Sequence, residues 1–286
     1  MAQCPICGAP VAGAENHACE NCRQASYTAY TDAQGRQVFA SDVPQQQTRQ
    51  TRPSAPPITR MLIAANVAVF LLMVVNGVSF WWPTGEQIFP WGADYGPAVL
   101  TGQYWRMFTA VFVHSGAVHI AMNMWCLWQL GTLAERIFGR SAFLTLYVLS
   151  GIAGNVLSIA VNPGVLGVGA SGAIFGIAGA LIAMLKFGNL RIPKEHIKPI
   201  LSSLVSFAVY NLIIGASIRV IDNWAHVGGL VCGLLIGFLL SLNTASAESY
   251  RRAKTWVFPL VTMGLTAAFI AVRHWRLPEV QHLLSR

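Results

Sequence analysis

Residues 169–185 read GASGAIFGIAGALIAML, an apolar run with one hydroxyl group, that of Ser171, at its head. Residues 225–229 read AHVGG and place one imidazole, that of His226, near the start of another apolar run. A membrane-spanning helix needs about 20 predominantly apolar residues, and both runs have that character. A serine and a histidine, each at the head of such a helix, indicate acyl-transfer chemistry inside a lipid bilayer.

The composition is that of an integral membrane protein. Of the 286 residues, 54% are hydrophobic and only 10% are charged, against about a quarter charged in ordinary soluble domains. The chain begins with a long polar stretch, which is not the pattern of a cleavable signal sequence. The apolar runs predict an all-α polytopic fold with seven spans, at about 61–82, 117–134, 142–161, 171–187, 199–217, 223–242 and 256–273.

The distribution of the 19 Lys and Arg residues predicts the orientation. With a cytoplasmic N-terminus, 14 of them lie in cytoplasmic segments, and the outer segments hold only Arg106, Arg219, Arg273, Arg276 and Arg286. Because cytoplasmic loops are enriched in Lys and Arg, we expect a plasma (bacterial inner) membrane protein with its N-terminus cytoplasmic and its C-terminus outside. The net charge of +8 then reflects topology and contact with anionic lipid. No basic helix with interleaved aromatic residues accompanies it, so we expect no nucleic-acid partner.

Residues 1–26 form a small polar module with two Cys-x-x-Cys pairs. Together the pairs supply the four thiolates that a structural zinc ion favours, so we predict a zinc ribbon with the ligands Cys4, Cys7, Cys19 and Cys22. Disulfides are the alternative, which a reducing cytoplasm disfavours. So short a module cannot bury a sufficient core, and we expect the metal to supply its folding energy. A binding or regulatory role with a cytoplasmic partner is our hypothesis for it.

The rest of the chain divides into three parts. Residues 27–57 are polar and rich in Gln and Pro, which is typical of a semi-extended linker. Residues 58–242 hold a six-helix core, and 243–286 a cytoplasmic loop, the seventh span and a short tail. The outer loop at about 83–116 is rich in Trp and Tyr, which favour the headgroup boundary of the bilayer.

Topology predicts that the candidate catalytic residues lie at one depth. Spans two, four and six all run from the outside to the inside, and His119, Asn123, Ser171 and His226 all lie near the starts of these spans. Small residues let helices approach closely in membranes. Spans four and six carry such faces, formed by Gly172, Gly176, Gly179 and Ala180 on one and by Gly229, Gly233 and Gly237 on the other.

An oxyanion site is the second requirement of acyl transfer. Ser171 at a helix start has free backbone N–H groups beside it. Asn123 and His119 lie four residues apart on one face and can donate to the same oxygen, although each alone could instead bond a neighbouring helix. Asp222 lies one turn before His226 and either orients its imidazole or sits in water at the helix end. We favour the second case and therefore a two-residue Ser/His mechanism.

At these residues the chain resembles the rhomboid family of intramembrane serine proteases, over about residues 60–242. The matching segments are Trp105-Arg106, His114, 119–123, 131–135, 169–172 and Ala225-His226 with the glycines after it. The resemblance implies a six-helix core with a water-filled cavity open to the outside, to which this chain adds a C-terminal transmembrane helix. It also implies substrates that are single-span membrane proteins with small residues at the cleavage site.

The same resemblance implies a role for each matching residue. Ser171 would attack the peptide bond and His226 would relay the proton, with no cofactor for catalysis. His119, Asn123 and the Ser171 backbone would line the oxyanion hole. Gly169 would let the chain turn toward the substrate, and Arg106 would brace the outer loop. Phe175 stands where many relatives have tyrosine, so that a ring can stack beneath His226 without a hydroxyl contact.

Two other functions are compatible with parts of this pattern. A catalytically silent rhomboid-like protein would bind membrane clients without cutting them, but such proteins typically lose the nucleophile or the base. A transporter or channel would place charged residues within its spans or repeat its halves with broken helices, and neither is visible.

The zinc prediction is tested by measuring metal content. We expect about one zinc ion per purified chain, because two Cys-x-x-Cys pairs complete one tetrahedral site. Cys4→Ser and Cys19→Ser should each lower the ratio, and Cys232→Ser, which lies outside the module, serves as the control. A ratio near zero in the wild-type chain would contradict the prediction.

Overall fold

The computed structural model describes residues 2–3, 10–11, 30–31, 37–38, 56–190, 192–218 and 221–284, with the backbone alone at 2–3, 10–11, 30–31, 37–38, 194, 283 and 284. It divides the chain into two units, Met1–Ala55 and Pro56–Arg286.

The first unit contains two short antiparallel strand pairs. Strand β1 (Ala2–Gln3) pairs with β2 (Pro10–Val11), and β3 (Tyr30–Thr31) pairs with β4 (Gln37–Val38). The second pair lies within the segment for which the composition predicts a linker. The four cysteines predicted to bind zinc, Cys4, Cys7, Cys19 and Cys22, lie outside the described residues.

The second unit is helical. Its helices are α1 (Pro57–Val75), α2 (Gly85–Ile88), α3 (Gly96–Leu100), α4 (Arg106–Thr109), α5 (Ala117–Phe138), α6 (Arg140–Val161), α7 (Ser171–Phe187), α8 (Lys194–Ser217), α9 (Asn223–Ser241) and α10 (Ala247–Leu284). One strand pair, β5 (Asp94–Tyr95) with β6 (Leu166–Gly167), joins the loop before α5 to the segment before α7. The predicted all-α class omits these short strands.

Several helices can cross a membrane. Within the described residues, α1, α6, α8, α9 and α10 are long and apolar enough, and α5 adds a sixth if it forms one span with α4 across a 90° bend. Helix α7 is also apolar but has only 17 residues. Each predicted span therefore corresponds to a helix, and the chain is a multi-pass membrane protein.

One predicted span ends too late, and one helix is longer than the span predicted within it. The first span was expected at 61–82, but α1 ends at Val75, because the chain turns at Asn76 and Gly77 adopts a φ of 91°. The last span, predicted at 256–273, lies within α10, which runs from Ala247 to Leu284. The apolar pattern covers only the middle of α10, because the residues at both of its ends are polar.

Helices α7 and α9 pack backbone against backbone at the centre of the bundle, on the glycine faces that the sequence predicts. A methyl group added at Gly229 would overlap the carbonyl oxygen of Gly172, and one added at Gly233 would overlap that of Gly176. Both helices also contact α6, and the three form the most buried part of the molecule. The two helices that begin near Ser171 and His226 are therefore held as close as backbones allow.

The loop before α5 is built around buried polar groups. The Arg106 guanidinium donates to the carbonyl oxygens of Phe89 at 2.7 Å and Ala93 at 3.0 Å, and it stacks 3.8 Å from the Phe89 ring. Asp94 is 2% exposed. Burial, and next the negative charge of Asp222, hold the pKa of the Asp94 carboxyl well above its usual range, while Arg106 acts in the opposite direction.

Substituting Gly233 tests the backbone contact between α7 and α9. Alanine normally stabilises a helix relative to glycine by up to about 1 kcal/mol. At Gly233 we expect Gly233→Ala to lower the free energy of unfolding by about 2 kcal/mol, because the methyl group meets a carbonyl oxygen that cannot move. Denaturant titration in mixed micelles measures it. Gly264→Ala is the control, since a methyl group there meets nothing within 4 Å, and equal effects of the two substitutions would contradict the prediction.

The buried Asp94 carboxyl predicts a pH-dependent stability. Because its pKa is raised in the folded state, the folded chain binds the proton more tightly than the unfolded chain does. Its contribution to stability is therefore present below an unfolded pKa of about 3.9 and is lost as the pH rises toward the folded pKa. We expect Asp94→Asn to raise the unfolding temperature in detergent at pH 8 and to change it little at pH 4. If Asp94→Asn instead made the protein less stable than the wild type at pH 8, the ionised carboxylate would be the favoured form.

Candidate active site

Ser171 is the first residue of α7, and a tight turn delivers the chain to it. Gly169 has a φ of 112°, a conformation that side chains strain, and its N–H donates to the carbonyl oxygen of Ala110 at 2.9 Å. A methyl group added at Gly169 would lie only 2.7 Å from the His119 ring. Glycine is therefore needed for both the turn and the close approach of His119.

His226 lies in the first turn of α9 and reaches Ser171. Its Nε2 atom is 2.9 Å from Ser171 Oγ, a hydrogen bond across 55 residues of sequence. The imidazole is 8% exposed and stacks on the Phe175 ring with centroids 4.4 Å apart and planes 11° apart. The serine, by contrast, is partly exposed. Packing inside the bundle thus fixes His226, while the Ser171 side remains accessible from outside the protein.

Asp222 caps the helix that carries His226 and does not bind the imidazole. Its Oδ1 accepts from the Ala225 N–H at 3.2 Å, and its Oδ2 accepts from the Ser158 hydroxyl at 2.5 Å. His226 Nδ1 has no hydrogen-bond partner among the described residues. Asp222 thus lies partly exposed at the helix end, as the sequence analysis favoured, with the added contact to Ser158 that ties the carboxylate to α6.

His119 and Asn123 lie beside the turn at Gly169. The Asn123 Nδ2 atom donates to the His119 carbonyl oxygen at 2.9 Å and lies 3.8 Å from the position of a methyl group at Gly169. His119 Nδ1 is 2.9 Å from the Ser115 hydroxyl and accepts from the Ser115 N–H at 3.3 Å. An Nδ1 that accepts a backbone N–H leaves the ring proton on Nε2. A methyl group added at Gly169 would lie 2.8 Å from this Nε2 atom. His119 therefore directs an N–H donor toward the turn before Ser171.

The predicted supporting residues occupy two places. Phe175 lies under His226, as described. Arg106 is 4% exposed within the outer loop, where its Nε donates to Gln103 Oε1 at 2.6 Å. His114, one of the residues on which the resemblance rests, is fully buried with its ring centroid 5.1 Å from that of His119.

Three residues near the site were not singled out from the sequence. Ser115 bonds the His119 ring, Ser158 bonds Asp222, and Asp94 lies with Asp222 next to Gly167. The position of Ser115 just before α5 is the one available signal, since serine side chains at helix starts commonly bond groups in the first turn, where His119 lies. The other contacts join distant segments and leave no trace in spacing.

Comparison with known proteins supports one family. The profile of the Rhomboid domain matches residues 101–243. The chain is 32% identical over 239 residues to the rhomboid protease GluP of Bacillus subtilis, a match that covers 81% of the chain and 45% of the relative. It is 32% identical over 186 residues to the putative rhomboid protease YdcA of the same organism, covering 64% of the chain and 88% of the relative.

A plant relative shows the same pattern. RHOMBOID-like protein 6 of Arabidopsis thaliana, a mitochondrial protein, is 34% identical over 176 residues, covering 61% of the chain and 56% of the relative. The chain thus spans about half the length of GluP and of this plant protein, but most of YdcA. The profile match over half of the chain and the near full-length match to YdcA show that the chain belongs to the rhomboid family.

Proposed function

We propose that this protein is an intramembrane serine endopeptidase in which Ser171 and His226 form the catalytic dyad. The observation that carries the proposal is the 2.9 Å contact between Ser171 Oγ and His226 Nε2. A serine hydroxyl becomes a useful nucleophile only when a base lies within about 2.6–3.2 Å of it. The rhomboid protease relatives support the same chemistry at the level of the family.

Proton transfer in the proposed mechanism runs through one nitrogen. A neutral His226 with its proton on Nδ1 leaves the Nε2 lone pair to accept the Ser171 proton as the hydroxyl attacks the peptide carbonyl. The same nitrogen then protonates the leaving amine, and a water molecule, activated in the same way, releases the acyl group. Stacking on Phe175 keeps the ring in the plane that both transfers require. No carboxylate takes part, since Asp222 bonds Ser158 and the helix end instead.

The proposed oxyanion hole combines donors from two helices. His119 contributes its Nε2–H, Asn123 its side-chain amide and Ser171 its backbone N–H. The contacts of His119 and Asn123 with the turn at Gly169 support this assignment. The Asn123 amide has two N–H groups and donates one to the His119 carbonyl oxygen, so the other is free to bind developing charge. Removal of one such donor typically costs about 2.7–4 kcal/mol in the transition state.

Substrate class and location follow from the resemblance and from the membrane setting. We propose single-span membrane proteins as substrates, cleaved near the outer face of a plasma (bacterial inner) membrane, with the N-terminus of the enzyme cytoplasmic and the C-terminus outside. Helix α7 supports a site below the surface, because 17 residues span about 26 Å, less than a hydrocarbon core of about 30 Å. The zinc module would then lie in the cytoplasm, where it would bind a partner.

Substitution of the dyad tests the proposal. In co-expression with a tagged single-span substrate, Ser171→Ala and His226→Ala should each lower cleavage by on the order of 10⁴-fold or more, because each removes one half of the proton-transfer pair. The smaller tagged fragment is quantified by immunoblotting.

Matched substitutions provide the controls for this experiment. Ser203→Ala removes an exposed helical hydroxyl and His274→Ala removes an exposed imidazole, so neither should affect cleavage. Fragment production that persists in Ser171→Ala would overturn the assignment of the nucleophile. Binding of the substrate without any cleavage by the wild type would favour a client-binding protein instead.

A further inference from the structure

The C-terminal helix α10 reaches the end of the bundle at which Ser171 lies. Arg276 on this helix donates from Nε and Nη2 to the carbonyl oxygen of Ala160, at 2.9 and 2.8 Å, and from Nη2 to that of Val161 at 3.2 Å. One turn earlier, Arg273 Nε donates to the carbonyl oxygen of Leu100 at 3.3 Å. These carbonyl groups belong to the last turns of α6 and α3.

The contacts of Arg273 and Arg276 are favourable because their acceptors lie at helix C-termini. The last carbonyl groups of a helix have no partner within it, and they carry the negative end of its dipole. A guanidinium group satisfies both needs with two or three directed hydrogen bonds. The Arg276 side chain is only 16% exposed and is held further by Glu279 at 2.7 Å and by the Trp275 ring at 4.1 Å. It is thus a fixed cap, unlike a mobile surface cation.

An apolar contact accompanies the two arginines. The buried Val280 of α10 packs in one cluster with Ile159 of α6 and Leu100 of α3. The Phe269 ring of α10 also meets the Tyr104 ring of the outer loop edge to face, with centroids 5.4 Å apart. Helix α10 therefore contacts α3 and α6 through buried apolar surface as well as through hydrogen bonds.

Helices α3 and α6, which α10 contacts, are both adjacent in sequence to the strand pair that precedes Ser171. Helix α3 follows β5 directly, and α6 is followed by residues 162–165 and then by β6. Tyr95 pairs with Leu166, and the Gly96 N–H donates to the carbonyl oxygen of Pro163 at 3.1 Å. Strand β6 ends only four residues before Ser171, so a shift of either helix end moves the turn that delivers the nucleophile.

We propose that Arg276 is a positioning residue of the protease, which acts through the end of α6 and the β5–β6 pair to hold Ser171 in register with His226. This inference rests on the proposed function, since it assigns α10 a part in that reaction. It predicts that loss of the cap slows each catalytic cycle while substrate binding is retained. A misplacement of about 1 Å in an active site can cost on the order of 10²-fold in rate.

The test compares Arg276→Ala with Arg252→Ala in the purified full-length protein. Arg252 is the matched control, because it lies on the same helix and pairs with Glu248 at 3.3 Å, yet its side chain is 78% exposed. Active sites are counted by labelling Ser171 to completion with a fluorophosphonate, and kcat per labelled site and KM are measured on a single-span substrate in detergent. We expect kcat per site to fall about tenfold in Arg276→Ala, with KM within about twofold of the wild type. Arg276→Lys, which keeps a cation at the helix end, should recover part of the loss.

Hydrogen exchange provides a readout that does not depend on activity. Backbone amides of 162–170 should exchange faster in Arg276→Ala and at the wild-type rate in Arg252→Ala. A merely structural role would lower the number of labelled sites and leave kcat per site unchanged, which would overturn the proposal, as would unchanged exchange at 162–170. Failure of the proposed function is distinguishable, because the wild type itself would then show no cleavage that depends on Ser171.

Discussion

Direct backbone contact between α7 and α9 is the constraint on which the rest of the molecule depends. Gly229 faces the carbonyl oxygen of Gly172, so no side chain separates the helices at the turn that bears the dyad. A serine and a histidine have short side chains, and they can share a proton only if their backbones are brought this close. The apolar bulk of the bundle packs around this pair of helices and adds the stability that glycine, with its conformational freedom, cannot supply.

Two carboxylates in this fold, those of Glu135 and Asp222, hold helix ends together and do not bind the His226 imidazole. Glu135, 5% exposed near the end of α5, accepts from the backbone N–H groups of Ile58 at 3.0 Å and Thr59 at 2.8 Å and so caps the start of α1. Asp222 caps α9 in the same way and is tied to α6 through Ser158. Each carboxylate accepts hydrogen bonds from backbone N–H groups at a helix start. In an apolar setting an unpaired N–H group is unfavourable by several kcal/mol, on the order of the penalty for burying a polar group. The proposed dyad therefore has no third member, because Asp222 bonds Ser158 and the start of α9 instead of the His226 imidazole.

Sequence patterns predicted what periodicity and topology control, and missed what depends on contacts between distant segments. The pairing of Ser171 with His226 was predictable, because the parity of the spans and the two glycine faces both restrict where these residues can lie. The end of α1 was missed because apolar residues continue beyond Gly77, although the dipeptide Asn76-Gly77 is itself typical of a turn. Strands of two residues carry no readable alternation, so the β5–β6 pair left no signal. In the sequence, Arg276 contributed only to the prediction of membrane orientation. Nothing in its position along the chain indicates that it bonds the end of α6.

The turn before Ser171 is held from several sides, and this follows from the position of Ser171 at the head of α7. A residue at the head of a helix inherits its position from the segment in front of it, and a segment of irregular backbone has little rigidity of its own. Here the segment is tied to the outer loop by β5, to Ala110 by the Gly169 N–H and to α10 through the end of α6. His226 needs less support, because Phe175 and the helix around it already fix the ring. The asymmetry is physical: His226, the proposed base, is positioned by packing inside the bundle, whereas Ser171, the proposed nucleophile, has to stay accessible and can be fixed only through its backbone.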